Sequence, residues 1–131
     1  MADYILDTHA CIFALSTPKK LGNRARKVLR RVEMGQDVAW IPAAVIAEIV
    51  LLYELRRISI AIAEFKIVLE NNSSLRFLPL DFKQLEDFAV LSSIREPFDR
   101  LIIAAARALN GKLITKDRKI EESKLVPTIW D

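Results

Sequence analysis

The sequence contains little cysteine, histidine and glycine, and it has no apolar run of the length needed to cross a membrane. Its single cysteine, Cys11, has no partner for an internal disulfide, which is typical of a reducing compartment. The first residues, MADYILD, carry two acids where a secretory signal would carry positive charge. Three glycines in 131 residues exclude a fibrous or low-complexity chain. We therefore expect a cytoplasmic, folded protein.

The composition indicates a single folded domain over residues 1–131. Hydrophobic residues make up 52% of the chain and charged residues 28%, and 131 residues can bury a core without disulfides. Cys11, within the apolar segment ACIFAL, is predicted to be part of that core. The net charge of +3 permits a polyanionic partner without requiring one.

Short apolar runs alternate with longer segments of helical spacing. The predicted strands are residues 3–7, 38–41, 75–80, 112–115 and 126–130. The predicted helices are residues 8–16, 21–35, 42–57, 61–72, 81–93 and 97–111. Strands separated by one or two helices need crossover connections. The sequence therefore predicts a three-layer α/β fold with a mostly parallel central sheet.

Prolines and glycines mark several of these boundaries. Pro42 and Pro97 are predicted in the first turns of their helices, where a missing N–H costs nothing. Gly35 and Gly111 are predicted at helix C-termini, where a left-handed backbone is common.

Four carboxylates have mainly apolar neighbours on at least one side. Asp7 and Asp117 fall at the ends of predicted strands, where the ligand crevice of an open parallel sheet lies. Asp99 lies in the first turn of a predicted helix, whose free N–H groups favour an anion. Glu48, inside VIAEIVLL, lies near the start of the second turn after Pro42. All four side chains could meet on one side of the sheet.

Clustered carboxylates repel each other, so such a cluster needs a cation or shared protons. An all-oxygen set of ligands favours Mg²⁺ or Mn²⁺, whereas zinc would favour cysteine and histidine, and this chain has only Cys11 and His9. For any one of these acids, the alternative is a helix cap or a solvated turn residue. That alternative is strongest for Asp117, in the polar segment TKDRK.

A phosphoacceptor receiver domain is an alternative with similar length and acids at strand ends. A receiver requires an acidic pair after its first strand, but Asp7 is followed by Thr8. It also requires a late lysine followed by proline, but Lys116 is followed by Asp117. These differences argue against a receiver.

Four segments carry a family resemblance: LDTHA at 6–10, AEI at 47–49, PFDRLIIAAA at 97–106 and TKDRKI at 115–120. In this order and spacing, the chain resembles PIN-domain proteins, specifically VapC-type toxins. The resemblance implies an α/β/α PIN-like fold and an Mg²⁺- or Mn²⁺-dependent endoribonuclease in which metal-activated water attacks the RNA phosphodiester. It also implies a VapB-type antitoxin partner and a homodimer. The implied metal ligands are Asp7, Glu48, Asp99 and Asp117, with Thr115 as a hydroxyl lining the site.

The sequence departs from this family pattern at two positions. Glu96 stands where relatives often have aspartate, which leaves open whether it joins the metal shell. The tryptophan common before the glutamate is absent before Glu48, which we interpret as a packing change. A PIN-fold binding module with a degraded site is therefore a further alternative.

Three basic features lie outside the acidic set. Arg100 could contact phosphate or restrain a neighbouring carboxylate through paired hydrogen bonds. Arg24, Lys27 and Arg31, on the helical segment RARKVLRR, share a face that could attract RNA or simply be solvated. His9 lies next to the site-bearing strand and is interpreted as a first-turn residue outside the site.

Overall fold

Five short strands and seven helices alternate along the chain in the computed structural model, which describes residues 1–131. The strands are β1 (Asp3–Leu6), β2 (Val38–Pro42), β3 (Leu75–Leu78), β4 (Lys112–Ile114) and β5 (Thr128–Ile129). The helices are α1 (Thr8–Ser16), α2 (Asn23–Glu33), α3 (Ala43–Glu54), α4 (Ile62–Glu70), α5 (Phe82–Val90), α6 (Pro97–Ala108) and α7 (Arg118–Ser123). A 3₁₀ turn spans Pro18–Lys20. None of the helices is both long and apolar enough to span a membrane.

The sheet has the order β3-β2-β1-β4-β5, and all four strand pairings are parallel. β1 is central, and its Ile5 lies opposite Trp40 of β2 and Leu113 of β4. The predicted three-layer α/β fold is confirmed, with a sheet that is parallel throughout. This strand order also differs from the 2-1-3-4-5 order of receiver domains, which excludes the receiver alternative.

The buried residues of the helices follow the apolar stripes seen in the sequence. In α2 and the turn before it, Leu21, Ala25, Val28, Leu29 and Val32 are buried, while the arginines between them are exposed. In α6, the segment 102–106 (IIAAA) is buried throughout. Because α6 buries this segment in the core, its first turn is held firmly at the carboxyl end of the sheet.

The two prolines lie where their missing N–H is tolerated. Pro97 is the first residue of α6, as predicted. Pro42 is instead the last residue of β2 and comes directly before α3. It therefore precedes the first turn of α3 rather than lying within it.

Glycine occurs at positions 35 and 111 for different structural reasons. Gly35 follows the end of α2 with φ of +74°, so the predicted left-handed position is confirmed. The prediction for Gly111 is wrong, because Asn110 takes the left-handed conformation after α6 with φ of 49°. At Gly111 a Cβ atom would lie 2.4 Å from Ile5 Cδ1, so this glycine allows β1 to approach closely.

One helix has no counterpart among the predicted elements. α7 is only six residues long, too short for an apolar period to be visible in the sequence. Its first residue directly follows Asp117, which caps it. The short helix therefore affects the position of one of the candidate site residues.

Candidate active site

The four acids that the sequence singles out line one cavity beyond the carboxyl ends of β1 and β4. The cavity has a volume of about 460 Å³, and no hydrophobic residue lines it. Its lining residues are Asp7, Thr8, His9, Glu48, Glu96, Asp99, Lys116 and Asp117. The structure thus brings together residues separated by more than a hundred positions in the chain.

Asp7 follows β1 and serves as the N-cap of α1. Its Oδ1 accepts a hydrogen bond from the Ala10 backbone N–H at 2.8 Å, and only 9% of the residue is exposed. Burial raises the pKa of Asp7, an effect opposed by hydrogen bonds from Thr115 and Ala10. Asp7 is therefore a helix cap and a cavity residue at once.

Asp117 follows β4 much as Asp7 follows β1, and it is the N-cap of α7. Its Oδ1 accepts hydrogen bonds from the backbone N–H groups of Lys119, at 2.8 Å, and Ile120, at 3.4 Å. Its own backbone N–H donates to Thr115 Oγ1 at 3.1 Å. Thr115 is buried, and its hydroxyl also lowers the pKa of Asp7, so this residue lies close to both acids.

Glu48 reaches the cavity from α3, where it is half-buried. Its Oε1 accepts a hydrogen bond from Thr8 Oγ1 at 2.5 Å. Thr8 directly follows Asp7 and is itself buried. This hydroxyl therefore orients the acid contributed by α3 toward the acid contributed by β1. The sequence gives no separate signal for Thr8 beyond its position next to Asp7.

Asp99 and Glu96 occupy the start of α6. Glu96 is the N-cap, and its Oε2 accepts a hydrogen bond from the Asp99 backbone N–H at 2.6 Å. Burial, followed by the negative charges of Glu96, Asp117, Glu48 and Asp7, raises the pKa of Asp99 to about 7. Asp99 therefore experiences the other acids of the cavity electrostatically.

The chemistry of the lining fits a hard divalent cation. Carboxylate and hydroxyl oxygens dominate it, and these are the ligands that Mg²⁺ and Mn²⁺ prefer. Cys11, the only sulfur ligand of the zinc type, is buried in the core as predicted, and burial raises the pKa of its thiol. No three His, Cys, Asp or Glu side chains are close enough together to form a metal-binding group in this structure. The acids share a cavity, but their side chains are held by caps and hydroxyls.

The structure shows no ion pair between Arg100 and a carboxylate, and a contact with phosphate stays a prediction. Its Nε donates a hydrogen bond to the Ile94 carbonyl oxygen at 2.7 Å, and its guanidinium lies 4.8 Å from the centroid of the Phe88 ring. The side chain makes no ion pair with a carboxylate and does not line the cavity. Arg100 instead braces the loop that leads into Glu96.

The basic face of α2 lies outside the cavity lining. Arg31 forms an ion pair with Asp37, with 2.7 Å between Nε and Oδ2, so part of the predicted face has a structural role. Arg24 and Lys27 are exposed. An RNA contact by these two residues stays a prediction.

Besides Thr8, two further cavity residues were not predicted as part of the site. His9, which the sequence interpretation placed outside, is exposed and lines the cavity. Lys116, between Thr115 and Asp117, lines it as well. The only sequence signal for Lys116 is its position in the segment TKD. A lysine next to an acid in a polar segment is easily interpreted as a solvated turn residue.

Comparison with known proteins identifies the domain type. The family model described as PIN domain matches residues 4–124, which is nearly the whole chain and includes every acid of the cavity. No curated protein sequence matches the chain.

Several solved structures share the fold. A structure of VapBC2 from Rickettsia felis bound to a promoter DNA fragment aligns with a TM-score of 0.71 and 20% identity, covering 98% of this chain and 99% of that one. DNA-bound VapBC from Salmonella typhimurium aligns with a TM-score of 0.68 and 18% identity over 98% of both chains. FitAcB from Neisseria gonorrhoeae aligns with a TM-score of 0.63 and 18% identity over 96% of both chains. At these identities the likeness shows the fold.

Proposed function

The chain belongs to the PIN-domain family, and we propose that it is a divalent-metal-dependent endoribonuclease that acts as the toxin of a type II toxin–antitoxin pair. The observation that carries this proposal is the polar cavity at the carboxyl edge of the sheet. Four carboxylates from four separate segments line it, and Asp99 has a pKa raised to about 7 in their company. A structural cap does not require such a concentration of like charge.

Asp7, Glu48, Asp99 and Asp117 would hold Mg²⁺ or Mn²⁺. When bound, the cation lowers the pKa of the attacking water and offsets charge on the phosphate oxygens. Glu96 also lines the cavity, but one of its oxygens is committed to the Asp99 backbone N–H, so we assign it to positioning α6. These assignments give each acid of the cavity a role.

The protein's own hydrogen bonds would fix the ligands before any cation arrives. The helix caps hold Asp7 and Asp117, and Thr115 lies close to both. Thr8 orients Glu48 through its hydroxyl. Burial, followed by the neighbouring acids, raises the pKa of Asp99 to about 7, so Asp99 retains a proton in part of the molecules close to neutral pH when no cation is bound. A bound cation would still have to draw the acids together, because no three of them lie close enough to form a metal-binding group.

The toxin assignment draws on the similar structures, which are VapBC and FitAcB assemblies. We propose a VapB-type antitoxin, a homodimer and a cytoplasmic location. The helices α3 and α4 expose apolar side chains that such partners could cover. These side chains are Leu51, Tyr53, Ile62 and Ile67, together with Leu55 just after α3.

We favour the nuclease over a degraded PIN binding module because the acids of the cavity are intact. All four acids are present, and the hydroxyls of Thr8 and Thr115 are hydrogen-bonded to acids of the cavity. The substitution of glutamate at position 96 preserves both a carboxylate and the helix cap.

Incubation of the purified protein with total RNA, with and without Mg²⁺ or Mn²⁺, tests the nuclease proposal. We expect fragments only when a divalent cation is present, and none from the Asp99→Asn variant. Cleavage that continues in a chelator, or wild-type rates in the variant, would contradict the metal-site assignment.

Expression in bacteria without an antitoxin tests the toxin proposal separately. Wild-type protein should arrest growth, and RNA from the arrested cells should be fragmented. The Asp7→Asn variant should be tolerated at the same expression level. Equal toxicity of the two proteins would indicate an action that does not depend on the carboxylates.

A further inference from the structure

Two lysines share one aromatic ring beside the carboxylate cavity. Lys116 Nζ lies 5.1 Å from the centroid of the Phe13 ring, and Lys20 Nζ lies 5.6 Å from it. Both distances fall within the range of cation–π attraction. Phe13 is half-buried on α1, and its ring contacts Trp130 with a centroid separation of 6.3 Å. One ring therefore contacts two ammonium groups.

The ammonium groups are not paired with any carboxylate. Lys116 lines the same cavity as five acids, yet no carboxylate oxygen lies within 4.0 Å of its Nζ. Lys20 is exposed and likewise makes no ion pair. The two ion pairs of the chain involve arginines at other places in the fold. Both lysines thus keep their donors free for an external anion.

A second cavity lies next to the carboxylate cavity and shares one lining residue with it. It has a volume of about 380 Å³ and is lined by Phe13, Lys20 and Arg57 among others. His9 lines both cavities, so they meet at its side chain. His9 and Phe13 lie one helical turn apart, with ring centroids separated by 6.0 Å. An extended ligand could therefore pass from the acids to the lysines without leaving the surface.

A polyanion that approaches the acids meets like charge, and positive groups at the edge of the cavity would offset this repulsion. We propose that Lys20 and Lys116 form a subsite for a backbone phosphate of the RNA strand, next to the bond that is cleaved. Phe13 is the positioning residue that holds both lysines. This proposal rests on the proposed nuclease function, and it adds two substrate-contacting residues that carry no part of the metal site.

The salt dependence of RNA binding tests the subsite independently of cleavage. A short, labelled single-stranded RNA is titrated with the full chain in a chelator, and the dissociation constant is followed by fluorescence anisotropy over a series of salt concentrations. Removing one lysine–phosphate interaction makes the slope of log K against log salt shallower by about 0.7 for a single strand. We expect Lys20→Ala and Lys116→Ala to have this effect.

Two matched controls remove the same charge from neighbouring positions. Lys19→Ala changes the residue beside Lys20, and Lys112→Ala changes the opposite end of the strand that leads to Lys116. Neither control lysine lies over an aromatic ring or lines either cavity. Both controls should retain the wild-type slope.

Phe13 provides a separate test of positioning. Phe13→Leu keeps an apolar side chain but removes the ring, and it should weaken binding and make the slope shallower. Phe13→Tyr retains the ring and should restore both. A merely structural role for Phe13 predicts changes in melting temperature without a change in the salt slope.

Different failures have different meanings. If the wild type binds the RNA but both lysine variants keep its slope, the subsite is wrong and the nuclease proposal stands. If the slope becomes as shallow in the controls as in the two variants, binding is diffuse and the subsite is also wrong. If inorganic phosphate displaces the RNA when its concentration is similar to that of the phosphates in the RNA strand, the lysines bind a free anion rather than the strand. The subsite for RNA is then wrong. A wild type that neither binds nor cleaves RNA overturns the proposed function as well.

Discussion

Buried aspartates occur at opposite ends of the same parallel sheet, and their surroundings differ. Asp37 lies directly before β2, where it accepts hydrogen bonds from the Ala2 N–H at 2.9 Å and from Arg31 Nε at 2.7 Å. The backbone hydrogen bond and then the Arg31 hydrogen bond hold the pKa of Asp37 below its usual value. Asp7, directly after β1, has no cationic partner of this kind, and burial raises its pKa.

Asp37 has a structural role, whereas we propose a functional role for Asp7. At the Asp37 end, the fold supplies the compensating cation itself, so the charge stabilises the native state. At the Asp7 end, the fold supplies further acids, and the pKa of Asp99 rises to about 7. In a native state that retains such a cluster, the negative charge of the acids is left to be offset by a bound ligand.

The largest expected effect is a loss of RNA cleavage in Asp117→Asn, a variant that should keep the helix cap. Asparagine caps a helix about as well as aspartate does, so Asp117→Asn should leave α7 and the melting temperature nearly unchanged. RNA cleavage should fall by about 100-fold or more, because substitution of even the outer partners of metal ligands typically costs 10- to 100-fold. Initial cleavage rates and melting curves on the same preparation measure both quantities.

Asp81→Asn is the matched control for this variant. Asp81 caps α5 through the Gln84 backbone N–H at 2.9 Å and does not line the cavity. It should retain wild-type cleavage. If both variants lose activity equally, or if Asp117→Asn cleaves normally, Asp117 is only a cap.

At the other end of the sheet, Asp37→Ala should act on stability. The substitution removes the acceptor for Arg31 and for the Ala2 N–H. Removing one partner of a buried hydrogen bond typically costs about 1–3 kcal/mol, which lowers the melting temperature by roughly 5–10 degrees in a domain of this size. Thermal unfolding measures the shift. A variant that melts like the wild type would show that Asp37 contributes no stability.

A smaller effect is expected from pH in the absence of metal. Asp99 has a pKa of about 7 in the folded protein and an ordinary value of 3.8 when exposed, so the folded state binds its proton more tightly. The stability that this proton contributes is full below about pH 4 and is lost as pH rises through about 7. The pKa of Asp37 is lowered in the folded protein, so its stability contribution has the opposite pH dependence. That contribution is lost only as pH falls in the acid range.

Melting curves in a chelator between about pH 4 and pH 8 measure this dependence. Asp99→Asn should remove part of the decline in wild-type stability over that range and should melt higher than the wild type at the alkaline end. Parallel pH profiles for the two proteins would mean that Asp99 titrates normally and does not experience the other acids.

The sequence predicted the elements well where an apolar pattern was long enough to be visible. Burial of the α2 stripe and of IIAAA in α6 follows directly from their spacing. The pattern could not reveal α7, which has six residues and one buried side chain. It also could not distinguish Asn110 from Gly111 as the left-handed residue, because the reason for the glycine is contact with Ile5, which is far away in the sequence.

For the site, the sequence predicted the acids and Thr115 but not Thr8. Acids among apolar neighbours stand out in one dimension, and all four line one cavity. The hydrogen bond from Thr8 to Glu48 joins residues 40 positions apart, so only the fold reveals it. The closeness of Arg100 to Asp99 in sequence suggested a pair with a neighbouring carboxylate, whereas its guanidinium contacts Ile94 and Phe88.

The most direct test is the response of the melting temperature to Mg²⁺ and Mn²⁺. A ligand present at a hundred times its dissociation constant stabilises a fold by about 2.7 kcal/mol, or roughly ten degrees for a domain of this size. We expect the wild type and Asp81→Asn to show such a shift. Without metal at about pH 8, Asp99→Asn should melt at a higher temperature than the wild type. With saturating metal, its melting temperature should rise by less than that of the wild type. Unchanged wild-type melting in saturating Mg²⁺ and Mn²⁺, or a wild-type response from Asp99→Asn, would contradict a shared metal site in this cavity.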